Sequence, residues 1–163
     1  NNGNRNDMAR LAEYLREQPD ATNRIGITGF CLGGRIAYMS ATLGNTFDAT
    51  VAFYPTRLRE SDPVIADSPR PIDEAVGITN PMLLFFPQLD TYNPMEGVNI
   101  IRAASSNAHR EIETIWVEGA DHGFAQPASA KYNPELSETA WTKALKFFSE
   151  HLDPEPQEAR AAR

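Results

Sequence analysis

The chain has 163 residues, 41% apolar and 23% charged, the balance of one ordinary globular domain long enough to bury a core. Its formal charge of −7, from 22 acidic and 15 basic residues without a basic cluster, argues against nucleic acid or an anionic membrane as the main partner. A single cysteine excludes an internal disulfide, a CxxC redox pair and a cysteine zinc site, and the longest apolar runs, such as Pro81 to Pro87, are far too short to span a bilayer.

No basic-then-apolar signal segment opens the chain, so it reads as cytoplasmic. The polar start, Asn1 to Asp7, leads directly into a helical pattern in which Met8, Leu11, Ala12 and Leu15 form an apolar stripe. Asn6 or Asp7 would cap that helix, and Pro19-Asp20 would stop it. Arg24 to Gly29 is a short β-type run, and Leu32 to Leu43 reads as a helix closed by Gly44. Thr50 to Tyr54 is a second β run ended by Pro55. From Thr56 to Asn80 the chain is polar and proline-rich, a long excursion with one short helix expected near Asp73 to Val76. Met82 to Phe86 is a fully apolar strand of the kind buried on both faces of a parallel sheet. A helix from Pro94 to Ala104 and a strand from Ile112 to Glu118 follow. The last helix, Pro134 to Leu152, carries Trp141, Ala144, Leu145, Phe148 and Leu152 at helical spacing, which predicts one buried face. Asp153 to Pro156 break it, and 153–163 reads as a loose tail.

Alternating strands and helices predict an α/β domain over 1–152, with a mainly parallel sheet of about four strands and flanking helices. Ligands of such sheets sit at the carboxyl ends of the strands. Three chemically capable residues follow three of those ends: Cys31, Asp90 and His122.

The stretch Gly29-Phe30-Cys31-Leu32-Gly33-Gly34 has the form of a nucleophile elbow with cysteine at its apex. The apex residue is strained, and the flanking glycines stand where a Cβ would clash between strand and helix. A helix N-terminus favours the thiolate, and the Leu32 N–H would be one donor to an oxyanion. His122 would move the proton, and Asp90 would fix its tautomer. A lone cysteine is more often an inert core residue, and Asp90 could instead cap the next helix. Asp121 competes for the acid role, but as the sequence neighbour of His122 its side chain is expected to point away. His109, in a polar loop, and His151, in the last turn of the final helix, read as structural or solvated. Tyr54, Tyr92 and Phe124 lie just after strands as pocket-wall candidates, with core packing as the competing role. No metal or organic cofactor is expected.

The cysteine elbow, Asp90 before the Pro94 helix, and Glu118-Gly119-Ala120-Asp121-His122-Gly123-Phe124 with Tyr132 and the Ala140 to Phe148 helix resemble the dienelactone hydrolase (carboxymethylenebutenolidase) family. The similarity runs from about Met8 to Leu152. It implies an α/β-hydrolase fold and a Cys31–Asp90–His122 triad cleaving an ester or lactone through a thioester.

Three departures accompany it. The family usually has a further N-terminal portion with the first strands, the second oxyanion donor, a Glu against the resting thiol and a substrate-binding Arg, none of which is in this chain. Gln126 stands where dienelactone-opening members carry an Arg, and a neutral amide cannot neutralise a carboxylate. Pro87-Gln88-Leu89 replaces a loop in which the family often has Gly. The first strand should therefore be an open apolar edge, which an upstream segment or a second copy of the chain is expected to cover. The alternative to an esterase is a non-catalytic α/β-hydrolase-like module, or a fragment acting only in a larger assembly. A dinucleotide-binding domain is disfavoured, because Gly29 to Gly34 does not spell G-x-G-x-x-G.

Overall fold

The computed structural model describes residues 2–61, 69–106 and 111–153. Elements follow in the order α1 (Asn2–Arg16), β1 (Gly26–Phe30), α2 (Leu32–Ser40), β2 (Ala49–Phe53), β3 (Met82–Pro87), α3 (Met95–Ser105), β4 (Ile112–Val117) and α4 (Pro134–Leu152). Short 3-10 turns cover Gly44–Thr46 and Pro71–Gly77. No helix among the described residues is long and apolar enough to cross a membrane.

The four strands form one parallel sheet in the order β1-β2-β3-β4. Every residue of β2 and β3 is buried because helices cover each face, which is why β3 reads as an unbroken apolar run; the one polar residue of β2, Thr50, is buried with its hydroxyl donating to Asn80 Oδ1 at 3.0 Å. Side chains alternate between two cores. Ala52, Met82, Leu84 and Phe86 pack with Tyr38 of α2, with Leu58 and Ile72 of the excursion, and with Val98 and Ile101 of α3. Val51, Phe53, Leu83 and Phe85 pack with Ala140, Ala144 and Phe147 of α4. Burying each of these larger side chains contributes about 1.5–3 kcal/mol.

At the carboxyl ends of the strands the second core becomes aromatic. Phe30 pairs in register with Phe53 and Phe53 with Phe85, and the rings stack at centroid distances of 4.7 Å in both cases. Trp141 of α4 closes over this ladder 5.1 Å from Phe53. The ladder is a stiff floor under the strand ends, where the candidate residues stand.

The structure corrects several expectations. Helix α1 begins at Asn2, so neither Asn6 nor Asp7 caps it. Of its apolar stripe, Ala12 is buried while Leu11 and Leu15 are exposed, because the apolar packing of the helix is confined to a small cluster in which Ala12 and Met8 meet Ile25, Ile27 and Phe47. Helix α2 stops at Ser40 rather than Leu43. On α4, Leu145 is exposed and Phe147 takes its place, since the buried row runs Ser137, Ala140, Ala144, Phe147. Pro71 opens the 3-10 turn with its fixed φ, two residues before the expected helix.

Strand β1 is an edge of the sheet, and a groove of about 360 Å³ runs beside it, lined by Met8, Leu11, Leu15, Ile25, Ile27 and Phe47 among others. His109 and residues 154–163 of the expected tail lie outside the described residues.

Candidate active site

Because all strands are parallel, the residues after β1, β2, β3 and β4 share one edge of the sheet. Cys31 follows β1 directly and is the N-cap of α2, with φ 54° and ψ −119°. That left-handed conformation disfavours any residue with a Cβ, and sites that retain it are enriched in function. Two backbone bonds clamp it: the Cys31 N–H donates to Phe53 O at 3.1 Å, and the Cys31 carbonyl accepts from Thr56 N–H at 3.2 Å. Tyr54 and Pro55 therefore loop past Cys31, and Tyr54 also has a positive φ of 39°.

The elbow glycines divide into two classes. A Cβ on Gly29 would stand 2.2 Å from the Gly33 carbonyl oxygen, and one on Gly34 would stand 3.0 Å from Phe53 O. A Cβ on Gly33 meets no atom within 4 Å, so the clash expected at Gly33 does not exist. Its carbonyl, rather than its missing side chain, is what requires glycine at position 29.

Asp90 is buried three residues after β3. One carboxylate oxygen accepts the Tyr92 N–H at 2.8 Å, and the other faces His122 Nδ1 at 2.9 Å. A carboxylate only accepts, so the imidazole proton is on Nδ1 and Nε2 is left free to exchange a proton. Burial by itself would lower the His122 pKa. Hydrogen bonding and negative charge from Asp90 and Cys31 outweigh it and raise it to about 8.

Asp121 faces away from the imidazole, with one oxygen accepting the His122 backbone N–H at 2.7 Å and the other paired with Lys131 at 2.7 Å. These bonds hold the Asp121 carboxyl below the usual range.

Of the pocket candidates, Tyr54 and Tyr92 meet His122, with ring centroids 4.9 Å and 5.0 Å away. Tyr54 is fully buried, its phenol pushed up to about 12 by burial and by the nearby Cys31, and its hydroxyl has no partner among the described residues. Phe124 is buried behind Tyr54, 5.6 Å ring to ring. Gln126 is exposed, and its N–H closes a turn onto Gly123 O. His151 stays at the far end of α4 against Phe147, 4.5 Å away. Sequence reasoning missed Thr56, Asn93 and Gln88. Asn93 Nδ2 donates to Pro55 O, and Gln88 Oε1 accepts the Gly119 N–H, so these residues tie the strand-end loops together. Bonds to backbone atoms of distant loops leave no local pattern in a sequence.

The family model described as "Dienelactone hydrolase family" matches residues 3–152. Curated relatives include a protein of Yersinia pestis, 29% identical over 145 residues, and one of Synechocystis sp., 31% identical over 147. Both are named "Putative carboxymethylenebutenolidase". The matches cover 89% and 90% of this chain but only 54% and 58% of those proteins, so the chain spans little more than half the length of the curated relatives it matches. Among solved structures, "Putative Dienelactone Hydrolase" from Klebsiella pneumoniae superposes with a TM-score of 0.80 at 29% identity, covering 89% of this chain and 60% of that one.

Proposed function

Because the chain belongs to the dienelactone hydrolase family and has an α/β-hydrolase-like fold, we propose that the protein hydrolyses a carboxylic ester or lactone through a thioester on Cys31. The observation that carries this reading is the Asp90–His122 contact at 2.9 Å on the sheet edge that also presents Cys31 at a strained helix N-cap.

His122 takes the Cys31 proton, and Sγ attacks the carbonyl carbon to form a C–S bond and an oxyanion. The Leu32 N–H is one donor to that oxyanion. As the intermediate collapses, the C–O bond breaks and the leaving alcohol (in a lactone, the tethered hydroxyl) takes the proton from imidazolium. Water then gives a proton to His122 and attacks the thioester carbon. The C–S bond breaks, the acid departs, and the thiol regains its proton. Asp90 holds the tautomer and stabilises imidazolium throughout. Both half-reactions balance with water as the only co-reactant.

Tyr92, half exposed, flanks the imidazole as a pocket wall, while the buried Tyr54 and Phe124 back the imidazole from the core and Gln126 stands at the turn beyond. Cys31→Ala should abolish turnover of p-nitrophenyl butyrate and remove the acyl mass adduct from the elbow peptide. Unchanged turnover in that variant would return the protein to the non-catalytic reading.

A further inference from the structure

Large apolar side chains are left uncovered next to the candidate triad. Leu32, directly after Cys31, is 61% exposed; Leu89, directly before Asp90, is 56% exposed; Tyr92 is 50% and Met95 42% exposed. They share the site's edge of the sheet. Leu89 is fixed to the His122 loop by its N–H on Ala120 O at 2.8 Å. Tyr92 rests its N–H on Asp90 and its ring 5.0 Å from His122. Met95 opens α3 two residues after Asn93, whose side chain is pinned to Pro55 O at 2.8 Å. Two of the short segments that carry triad candidates therefore also display leucine or tyrosine to solvent. Concentrated apolar surface of this kind marks a place where something apolar binds. Because Leu32 adjoins Cys31, Leu89 adjoins Asp90 and the Tyr92 ring stands 5.0 Å from His122, the occupant that fits is part of the substrate.

We infer that Leu32, Leu89, Tyr92 and Met95 seat an uncharged hydrocarbon group adjoining the scissile carbonyl, so that the preferred substrates are esters with an apolar acyl chain of several carbons. The inference rests on the hydrolase reading above. Each added methylene that leaves water for this surface should raise kcat/KM roughly three- to fourfold until the surface is filled.

The test is a series of p-nitrophenyl acetate, butyrate and hexanoate on the wild-type protein, with mass detection of acyl-Cys31. We expect kcat/KM to climb about tenfold from acetate to butyrate. The double variant Leu89→Ser/Tyr92→Ser should flatten that climb to below about twofold, and Leu89→Ser/Tyr92→Leu should restore much of it. Leu145→Ser removes an equally exposed leucine on α4 and should leave the climb intact. A flat wild-type series with Cys31 acylated, or a climb that survives in the Ser/Ser variant, would overturn this inference alone. Absence of acyl-Cys31 with every ester would overturn the hydrolase reading and this inference together.

Discussion

Asp90 and His122, 32 residues apart in the chain, meet at 2.9 Å between a fully buried carboxylate and a mostly buried imidazole. Both carboxylate oxygens are occupied, one by the ring and one by the Tyr92 N–H. Asp90 is thus fixed in rotation and can act on His122 only as an acceptor. Asp90→Asn keeps the shape but presents either an amide donor or a neutral acceptor to Nδ1. Turnover of a p-nitrophenyl ester should fall by about 10²–10⁴-fold. The His122 pKa should drop from about 8, since the hydrogen bond and charge of Asp90, which raise it, are lost while the burial that lowers it remains. An NMR titration of the imidazole alongside the kinetics reads both, and an unshifted His122 would contradict this account of its pKa.

The same contact sets a pH dependence of stability. The folded-state pKa of His122, about 8, lies above the unfolded value of 6.5, so the folded protein holds the proton more tightly. The resulting stabilisation is fully present below pH 6.5 and is lost as pH rises through 8. The difference in Tm between wild type and His122→Gln should therefore be largest near pH 6 and shrink between pH 6.5 and 8.5. A difference that grows over that window would reverse the sign of the argument.

The parts of this architecture legible in the sequence are those where local pattern and tertiary environment agree. Strand β3 announced itself because both faces are covered, and α4 because Asn133 and Pro134 start it where the periodicity starts, with the Asn133 side chain accepting the Leu136 N–H. Leu11, Leu15 and Leu145 lie on apolar stripes yet stay exposed, because periodicity reports which face a helix offers, not whether another element arrives to cover it. For the site, the strand-end rule leads to Cys31, Asp90 and His122 without any knowledge of distances. The clamp on Cys31 from Phe53 and Thr56, and the bonds made by Gln88 and Asn93, are invisible beforehand because their partners are backbone atoms brought close only by folding.

Cys31 should trade stability for chemistry. Its backbone, at φ 54° and ψ −119°, costs a residue with a Cβ about 1–3 kcal/mol, and glycine avoids that cost at the expense of greater freedom in the unfolded chain. Cys31→Gly should therefore raise stability by about 1 kcal/mol, or ~2–4 °C in Tm for a domain of this size, while ester turnover disappears. A lower Tm in Cys31→Gly would mean that the elbow is not strained at its apex.

The three elbow glycines should respond to alanine in three different ways. At Gly29 the new methyl would lie 2.2 Å from Gly33 O and 2.3 Å from the Gly33 carbon, both backbone atoms in the first turn of α2. Relief requires moving β1 away from α2, which breaks the packing that forms the elbow, so Gly29→Ala should cost about 3 kcal/mol or more. At Gly34 the methyl would lie 3.0 Å from Phe53 O and 3.1 Å from Pro55 Cα. A shift of a few tenths of an ångström there costs less, about 1–2 kcal/mol, but it pushes on the segment whose Phe53 and Thr56 clamp Cys31, so turnover should suffer more than stability. At Gly33 the methyl is unopposed and sits inside a helix, where alanine is favoured over glycine by about 1 kcal/mol. Denaturant melts of the three variants should place Gly33→Ala at or above wild type, Gly34→Ala below it and Gly29→Ala lowest. If Gly33→Ala were instead the most damaged, the space beside α2 would be filled by something that the chain's own packing does not reveal.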